Sequence, residues 1–198
     1  MRASRLLPAL LLLIALPAAA QKVYVDYDSA TAFSEYKTFQ LRETPHDLRR
    51  TNPALHRQTV DQLEDYAESG GLEQVDTDPD VYLAYYAAYL GDLKLTLRDL
   101  EYTYGPGFSL GSYWEGGTGT REISKKPLTF KEGSVIVDVW DRERKVLVWR
   151  GIVSANIKKD RDKNARKLEK ALTKMMKQWG EMYGDHARAI RKLKADQQ

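Results

Sequence analysis

The chain has 198 residues, 31 Lys+Arg against 28 Asp+Glu, and no cysteine. The length suits a single domain, and 42% apolar with 30% charged residues is a globular balance that excludes wholesale disorder. The missing cysteine excludes disulfides, thiolate metal sites, cysteine nucleophiles and an acylated N-terminal cysteine together.

Residues 1–20 read as an export signal. Arg2 and Arg5 precede an apolar run from Leu6 to Leu16, Pro17 breaks it, and Ala18-Ala19-Ala20 supplies the small residues that signal peptidase needs. The run is short for a bilayer crossing, which takes about 20 residues, so cleavage before Gln21 is expected rather than an uncleaved anchor. No later stretch is long enough to span a membrane. The mature chain is therefore expected in the periplasm or outside the cell. Its charge is uneven: Lys158 to Gln198 holds 13 Lys+Arg against 6 Asp+Glu, leaving an acidic body and a basic tail.

Lys22 to Tyr27 alternates β-branched and aromatic residues and predicts a strand; Thr38 to Leu41 predicts a second. Between them Phe33 and Tyr36 fit one helical turn at a core edge. Asn52-Pro53 is a helix start, with Asn as cap and Pro at the first helical position. Leu55, Thr59, Leu63 and Tyr66 follow at helical spacing, and Gly70-Gly71 ends the helix. Val81 to Leu90 is apolar on both strand faces, which predicts a central strand covered on both sides. Leu93, Leu95 and Leu97 alternate after Gly91-Asp92, suggesting a hairpin partner for it. Tyr102 to Gly119 is rich in Gly and aromatics without periodicity and reads as a long surface loop.

The clearest pair is Val135–Trp140 with Lys145–Trp149. Folding about Arg142-Glu143 sets Val139 against Val146 and Val137 against Val148. Five valines then share one face, and Ile136, Asp138, Trp140, Leu147 and Trp149 share the other. Gly151 allows a bend, and 152–157 reads as a continuation of the strand. The last element is a helix over 162–183 with the stripe Leu168, Leu172, Met175, Met176, Trp179 and Tyr183. Gly184-Asp185 is expected to interrupt it before a weaker basic continuation. The fold expected is α+β: a mostly antiparallel sheet of about five or six strands with two main helices packed on it. Residues 21–184 form one domain in this reading, and 185–198 a basic C-terminal tail.

Several of these segments resemble the bacterial envelope family grouped as domain of unknown function 4136. Val23-Tyr24-Val25-Asp26-Tyr27-Asp28, Phe33 and Tyr36-Lys37-Thr38-Phe39 are similar to its N-terminal signature. Pro79-Asp80-Val81 looks like its middle signature, and Gly133 to Val139 followed by Val146 to Gly151 like its most specific block. The resemblance implies an exported α+β domain, often a lipoprotein, with no established activity and no catalytic residues to carry over. The chain departs from the family in lacking the lipoprotein cysteine and in ending on a basic tail rather than a Phe-Pro-Pro-like finish. Neither membrane anchoring nor C-terminal docking therefore carries over.

The motifs that could bear chemistry are sparse. Gly107-Phe108-Ser109-Leu110-Gly111 matches G-x-S-x-G, but a poor helix start follows, and the only downstream histidine is His186. Asp76-Thr77-Asp78-Pro79-Asp80 begins like a calcium loop, yet Val81 and Ala87 stand where Gly and Glu are required. His46, His56 and His186 share no ligand spacing. Neither a cofactor nor a metal is expected, no residue qualifies as catalytic, and an exported protein is not expected to bind nucleic acid.

Two surfaces remain. Tyr104, Phe108, Tyr113 and Trp114, with Tyr102 nearby, sit on the Gly-rich segment and form a candidate binding surface. Lys163, Lys167, Lys170, Lys174 and Lys177 make a continuous basic stripe on the last helix. That stripe is either a solvated helix face or a peripheral contact with anionic lipid or another envelope polyanion. The favoured reading is a non-catalytic binding or structural domain acting on an unidentified envelope partner. Its alternatives are a membrane-surface or polyanion-binding protein using the basic helix, and a hydrolase using the loop around Ser109.

Overall fold

The computed structural model describes residues 22–28, 30–89, 91–107, 128–154 and 161–195. Eight strands and three α-helices occur among them: β1 Lys22–Tyr27, β2 Thr38–Arg42, α1 Pro53–Ser69, β3 Glu73–Gln74, β4 Val81–Ala88, β5 Leu93–Leu95, α2 Leu97–Tyr104, β6 Leu128–Phe130, β7 Ser134–Asp141, β8 Val146–Ser154 and α3 Arg161–Ala195. A six-stranded sheet runs in the order β1-β8-β7-β4-β2-β3, and β5 and β6 form a separate two-stranded sheet. The expected α+β class holds, but the large sheet is mixed. β2 pairs parallel with both β3 and β4, while the other pairs are antiparallel. The parallel step arises because β2 and β4 are joined through α1, a crossover rather than a hairpin.

The sheet is covered on both faces. On the first lie α1 and α3, with Leu55, Leu63, Ala67, Leu172, Met175, Met176 and Trp179 packed on Phe39, Val81, Leu83 and the valines of β7 and β8. On the second, α2 and the small sheet bring Leu93, Leu95, Leu100 and Tyr104 onto Tyr86, Ile136, Trp140 and Leu147. β4 lies in the middle and is buried nearly throughout, as its doubly apolar pattern predicts. The predicted turn at Phe33 is a 3-10 turn, Phe33–Glu35, whose buried Phe33 meets Trp179 edge to face at 5.8 Å. Asn52 caps α1 by accepting from Leu55 N–H at 3.2 Å, with Pro53 first in the helix. Gly71, at φ +92°, is the left-handed residue that ends it.

Four expectations need correction. β5 does not pair with β4; it pairs with β6, 33 or more residues along the chain, and Leu97 opens α2 instead of extending a strand. The cause is a capping box: Thr96 Oγ1 accepts from Asp99 N–H, and Asp99 Oδ2 accepts from Thr96 N–H at 2.7 Å. α2 also takes in Tyr102 and Tyr104, so the Gly-rich loop cannot begin at Tyr102; residues 108–119 lie outside the described residues. In the β7–β8 hairpin, Val139 pairs with Trp149 and Val137 with Gly151, while Trp140 pairs with Leu147. The extra residue is a β-bulge opposite Val139 and Trp140, which turns both Val148 and Trp149 to the first face. The five valines still share that face as expected; Trp149 has changed sides. Finally, α3 runs unbroken through Gly184 to Ala195.

β8 extends past Gly151 to Ser154, with Gly151 inside the strand beneath α3. A Cβ there would lie 2.5 Å from Trp149 Cη2 and 2.6 Å from Met175 Cγ, so the missing side chain lets α3 seat on the sheet. No helix among the described residues is long and apolar enough to cross a membrane.

Candidate functional site

At one end of the sheet, β4 finishes at Ala88 and β7 begins at Ser134. Gly133, at φ +87°, turns the chain there and donates its N–H to Ala88 C=O at 2.7 Å. The first turns of α1 and α3 stand over this end. Between them opens a narrow cleft of about 40 Å³, lined by Leu48, Leu55, Ala87, Val135 and Leu168 together with Asn164 and Lys167. It is far smaller than a drug-sized site, roughly 300–1,000 Å³, and has room for a slender group only.

The wall formed by Leu48 is fixed by a buried relay. Leu48 N–H donates to Tyr85 Oη at 3.0 Å, and His56 Nδ1 lies 2.6 Å from the same oxygen. Burial pushes the Tyr85 hydroxyl above its ordinary value, keeping it a neutral donor and acceptor. Asn52, the α1 cap, also reaches Tyr89 Oη from Nδ2 at 3.3 Å. The lining is almost wholly apolar, and the first turns of α1 and α3 beside it carry the positive ends of two helix dipoles, which favour an anion nearby. The arrangement suits a ligand that is apolar at one end and acidic at the other.

The residues singled out from sequence are scattered. Tyr104 is buried, its ring 5.1 Å from Trp140 and 6.1 Å from Tyr82, so it belongs to the second core rather than to a binding surface. Burial raises its hydroxyl far above the ordinary range. Phe108, Ser109, Tyr113 and Trp114 lie outside the described residues. Lys163, Lys170, Lys174 and Lys177 are exposed on α3, and Lys167 is half-buried at the cleft. Leu172, Met175, Met176 and Trp179 beside them are buried.

Asp80 holds a turn. Its carboxylate accepts from the backbone N–H groups of Lys37 and Thr38 at 2.7 and 2.9 Å. Burial alone would raise it, but those bonds outweigh burial and hold it below the usual carboxylate range. His46 Nε2 lies 3.1 Å from Asp99 Oδ1, so His46 and His56 both have packing partners. Among the described residues no group of three or more His, Asp or Glu could hold a metal ion.

Sequence reasoning missed the charged groups that the fold buries. Asp138 and Arg150, 0% and 2% exposed, face each other across β7 and β8 with Nε–Oδ1 and Nη2–Oδ2 both at 2.6 Å. The guanidinium also lies 5.9 Å from the centre of the Phe130 ring. A symmetric hairpin without the bulge sets Asp138 opposite Leu147, so this partner could not be read from the pattern.

A second network ties the hairpin tip to the 28–36 segment. Tyr36 Oη donates to Asp141 Oδ2 at 2.8 Å, and Arg144 donates from Nε to Asp141 and from Nη2 to Thr31 at 2.7 and 2.9 Å. Against the effect of burial, the Arg144 and Tyr36 bonds hold Asp141 below the carboxylate range. The cleft itself could not be seen in sequence, because its lining comes from positions spread between 48 and 168.

The sequence profile of the family described as a domain of unknown function, DUF4136, matches residues 23–179. The chain belongs to this family. Among solved structures it is similar to a DUF4136 family protein from Bacteroides thetaiotaomicron, with a TM-score of 0.53, 13% identity, and coverage of 80% of this chain and 95% of that one. That likeness concerns the fold. A PelC dodecamer from Paraburkholderia phytofirmans is more distant, with a TM-score of 0.42, 10% identity, and coverage of 79% and 95%. No curated protein matches the sequence.

Proposed function

We propose that this DUF4136 member is exported to the cell envelope and acts there as a non-catalytic binding domain for an amphiphile with an anionic head. The cleft between the first turns of α1 and α3 is its site. One observation carries the reading: an apolar cleft lined by Leu48, Leu55, Ala87, Val135 and Leu168 opens beside Asn164 and Lys167 near the first turns of α1 and α3. Such a cleft takes the end of a slender acyl or similar chain and leaves its carboxylate outside, near the helix N-termini.

Export rests on the Arg-flanked apolar run and the three alanines of residues 1–20. The absence of turnover is supported by where the displaced pKa values fall. Asp80, Asp141 and Arg144 hold turns and strands together away from the cleft, and Tyr85, the shifted group behind its Leu48 wall, is raised by burial and engaged by Leu48 N–H and His56. A peripheral contact through the basic stripe would engage lysines alone, since the apolar side of α3 is turned into the core.

The test is displacement of a fluorescent anionic probe, anilinonaphthalene sulfonate, by medium-chain fatty acids. Saturable one-to-one displacement is expected, with loss of binding in Ala87→Leu, which fills the floor, and weakening in Lys167→Glu, which reverses the charge at the mouth. Absence of saturable binding, or binding indifferent to Ala87→Leu, would refute the proposal.

A further inference from the structure

β1 is the outermost strand on its side of the sheet, so half of its backbone groups point away from β8 with no strand beyond them among the described residues. One hydrogen bond tells which half. Asp28 N–H donates to Val148 C=O at 2.9 Å. By antiparallel alternation, Asp26, Tyr24 and Lys22 also turn their backbone groups inward to β8, and Val23, Val25 and Tyr27 turn theirs outward. The Tyr27 N–H is already taken, donating to Asp26 Oδ1 at 3.0 Å. The side chains of Lys22, Tyr24 and Asp26 share one face, because Tyr24 lies opposite Ile152 and Asp26 opposite Arg150. Tyr24 is 42% exposed.

We propose that β1 pairs antiparallel with β1 of a second copy of this chain, with Tyr24 opposite Tyr24 at the two-fold axis. The segment Lys22-Val23-Tyr24-Val25-Asp26 is symmetric in character about Tyr24: a cation at one end, an anion at the other, a valine on each side. In this register each Lys22 faces the other copy's Asp26, and each Val23 faces a Val25. The valines are the residues whose backbone groups point outward, so the two valine pairs exchange four hydrogen bonds. Tyr24 forms the central non-hydrogen-bonded pair, where cross-strand side chains come closest and aromatic pairs add stability.

A slip of one residue sets inward-turned groups against outward-turned ones and loses the bonds. Centring on Val25 instead needs the occupied Tyr27 N–H and sets Tyr24 against Asp26. The contact is isologous and closes on itself, joining two six-stranded sheets into one. It does not depend on the cleft.

The chain has no cysteine, so the register can be tested by disulfide trapping. Opposed residues of a non-hydrogen-bonded pair have Cα atoms about 4.5 Å apart, within disulfide reach. Under mild oxidation Tyr24→Cys should give a covalent dimer, while Val25→Cys and the exposed control Tyr102→Cys should not. By sedimentation, Lys22→Glu alone and Asp26→Lys alone should each dimerise roughly tenfold more weakly than the unaltered chain, because like charges then face each other twice. An equimolar mixture of the two should recover dimers, since every facing pair is again of opposite charge; that recovery also shows that both variants are folded. The proposal is overturned if the unaltered chain stays monomeric at high concentration, if Tyr24→Cys crosslinks no faster than Tyr102→Cys, or if the mixture is no more dimeric than its components.

Discussion

Removing Arg150 while leaving Asp138 in place should cost the fold a large share of its stability. The two side chains are 2% and 0% exposed and joined by two hydrogen bonds of 2.6 Å. Breaking a buried pair by deleting one partner leaves a charge with neither water nor counter-ion, at a cost of about 3–5 kcal/mol. Arg150→Ala is a sharper probe than Asp138→Ala, because Asp26 stands opposite Arg150 on β1 and can hold part of the charge of a stranded guanidinium. No such second cation stands opposite Asp138, whose other cross-strand neighbour is Ala84.

Urea unfolding followed by tryptophan fluorescence measures the loss. With a slope of about 1–3 kcal/mol per molar, the midpoint should fall by roughly 1–5 M. The double replacement Asp138→Leu with Arg150→Met removes both charges and should recover most of that loss, because apolar side chains of similar volume often match a buried ion pair. A loss below about 1 kcal/mol for Arg150→Ala, or a double variant less stable than Arg150→Ala, would show that the pair is not buried as described.

Trp179→Ala should destabilise the chain by roughly 3–5 kcal/mol in the same assay, since the ring packs edge to face on Trp149 at 5.0 Å and on Phe33. Lys170→Gln and Lys174→Gln, on the exposed side of the same helix, should change stability by less than about 0.5 kcal/mol. Gly151→Ala should cost about 1–3 kcal/mol through overpacking against Trp149 and Met175, read as a lower midpoint with the slope unchanged. The depressed carboxyls of Asp80 and Asp141 contribute stability that is full above the unfolded carboxyl value, near 3.9, and lost as pH falls through their lower folded values. Asp80→Asn should therefore flatten the acid limb of stability against pH, and an unchanged limb would count against its bonds to Lys37 and Thr38. Intact-mass measurement of periplasmic protein should give a chain beginning at Gln21; a mass that retains Met1 would rule out cleavage there.

What could be read from the sequence was local. The strands β1, β2 and β4, the turn at Phe33 and the capped start of α1 follow from alternation, spacing and cap chemistry within a few residues of each. The valine face of the β7–β8 hairpin was legible because a period of two survives on β7 and up to Val148. What failed depended on partners distant in the chain. β5 pairs with β6 across the Gly-rich segment, and Thr96 with Asp99 converts an alternating leucine pattern into a helix start. One bulge at Val139/Trp140 moved Trp149 across the sheet and set Arg150 against Asp138. The unbroken α3 follows a similar logic, since a single glycine inside a helix, such as Gly184, costs only about 1 kcal/mol and four turns of packing precede it. The cleft has no local signature, as it forms only when Leu48, Ala87, Val135 and Leu168 meet.

The most direct measurement of the binding site is methyl-resolved NMR of the chain titrated with a medium-chain fatty acid carrying a spin label at its tail. The account predicts selective broadening of the Leu48, Leu55, Val135 and Leu168 methyl signals, those of the cleft floor, and loss of that broadening in Ala87→Leu. Broadening confined to the groove between α1 and α3 around Gln62 and Thr173, or spread evenly over the surface, would contradict it.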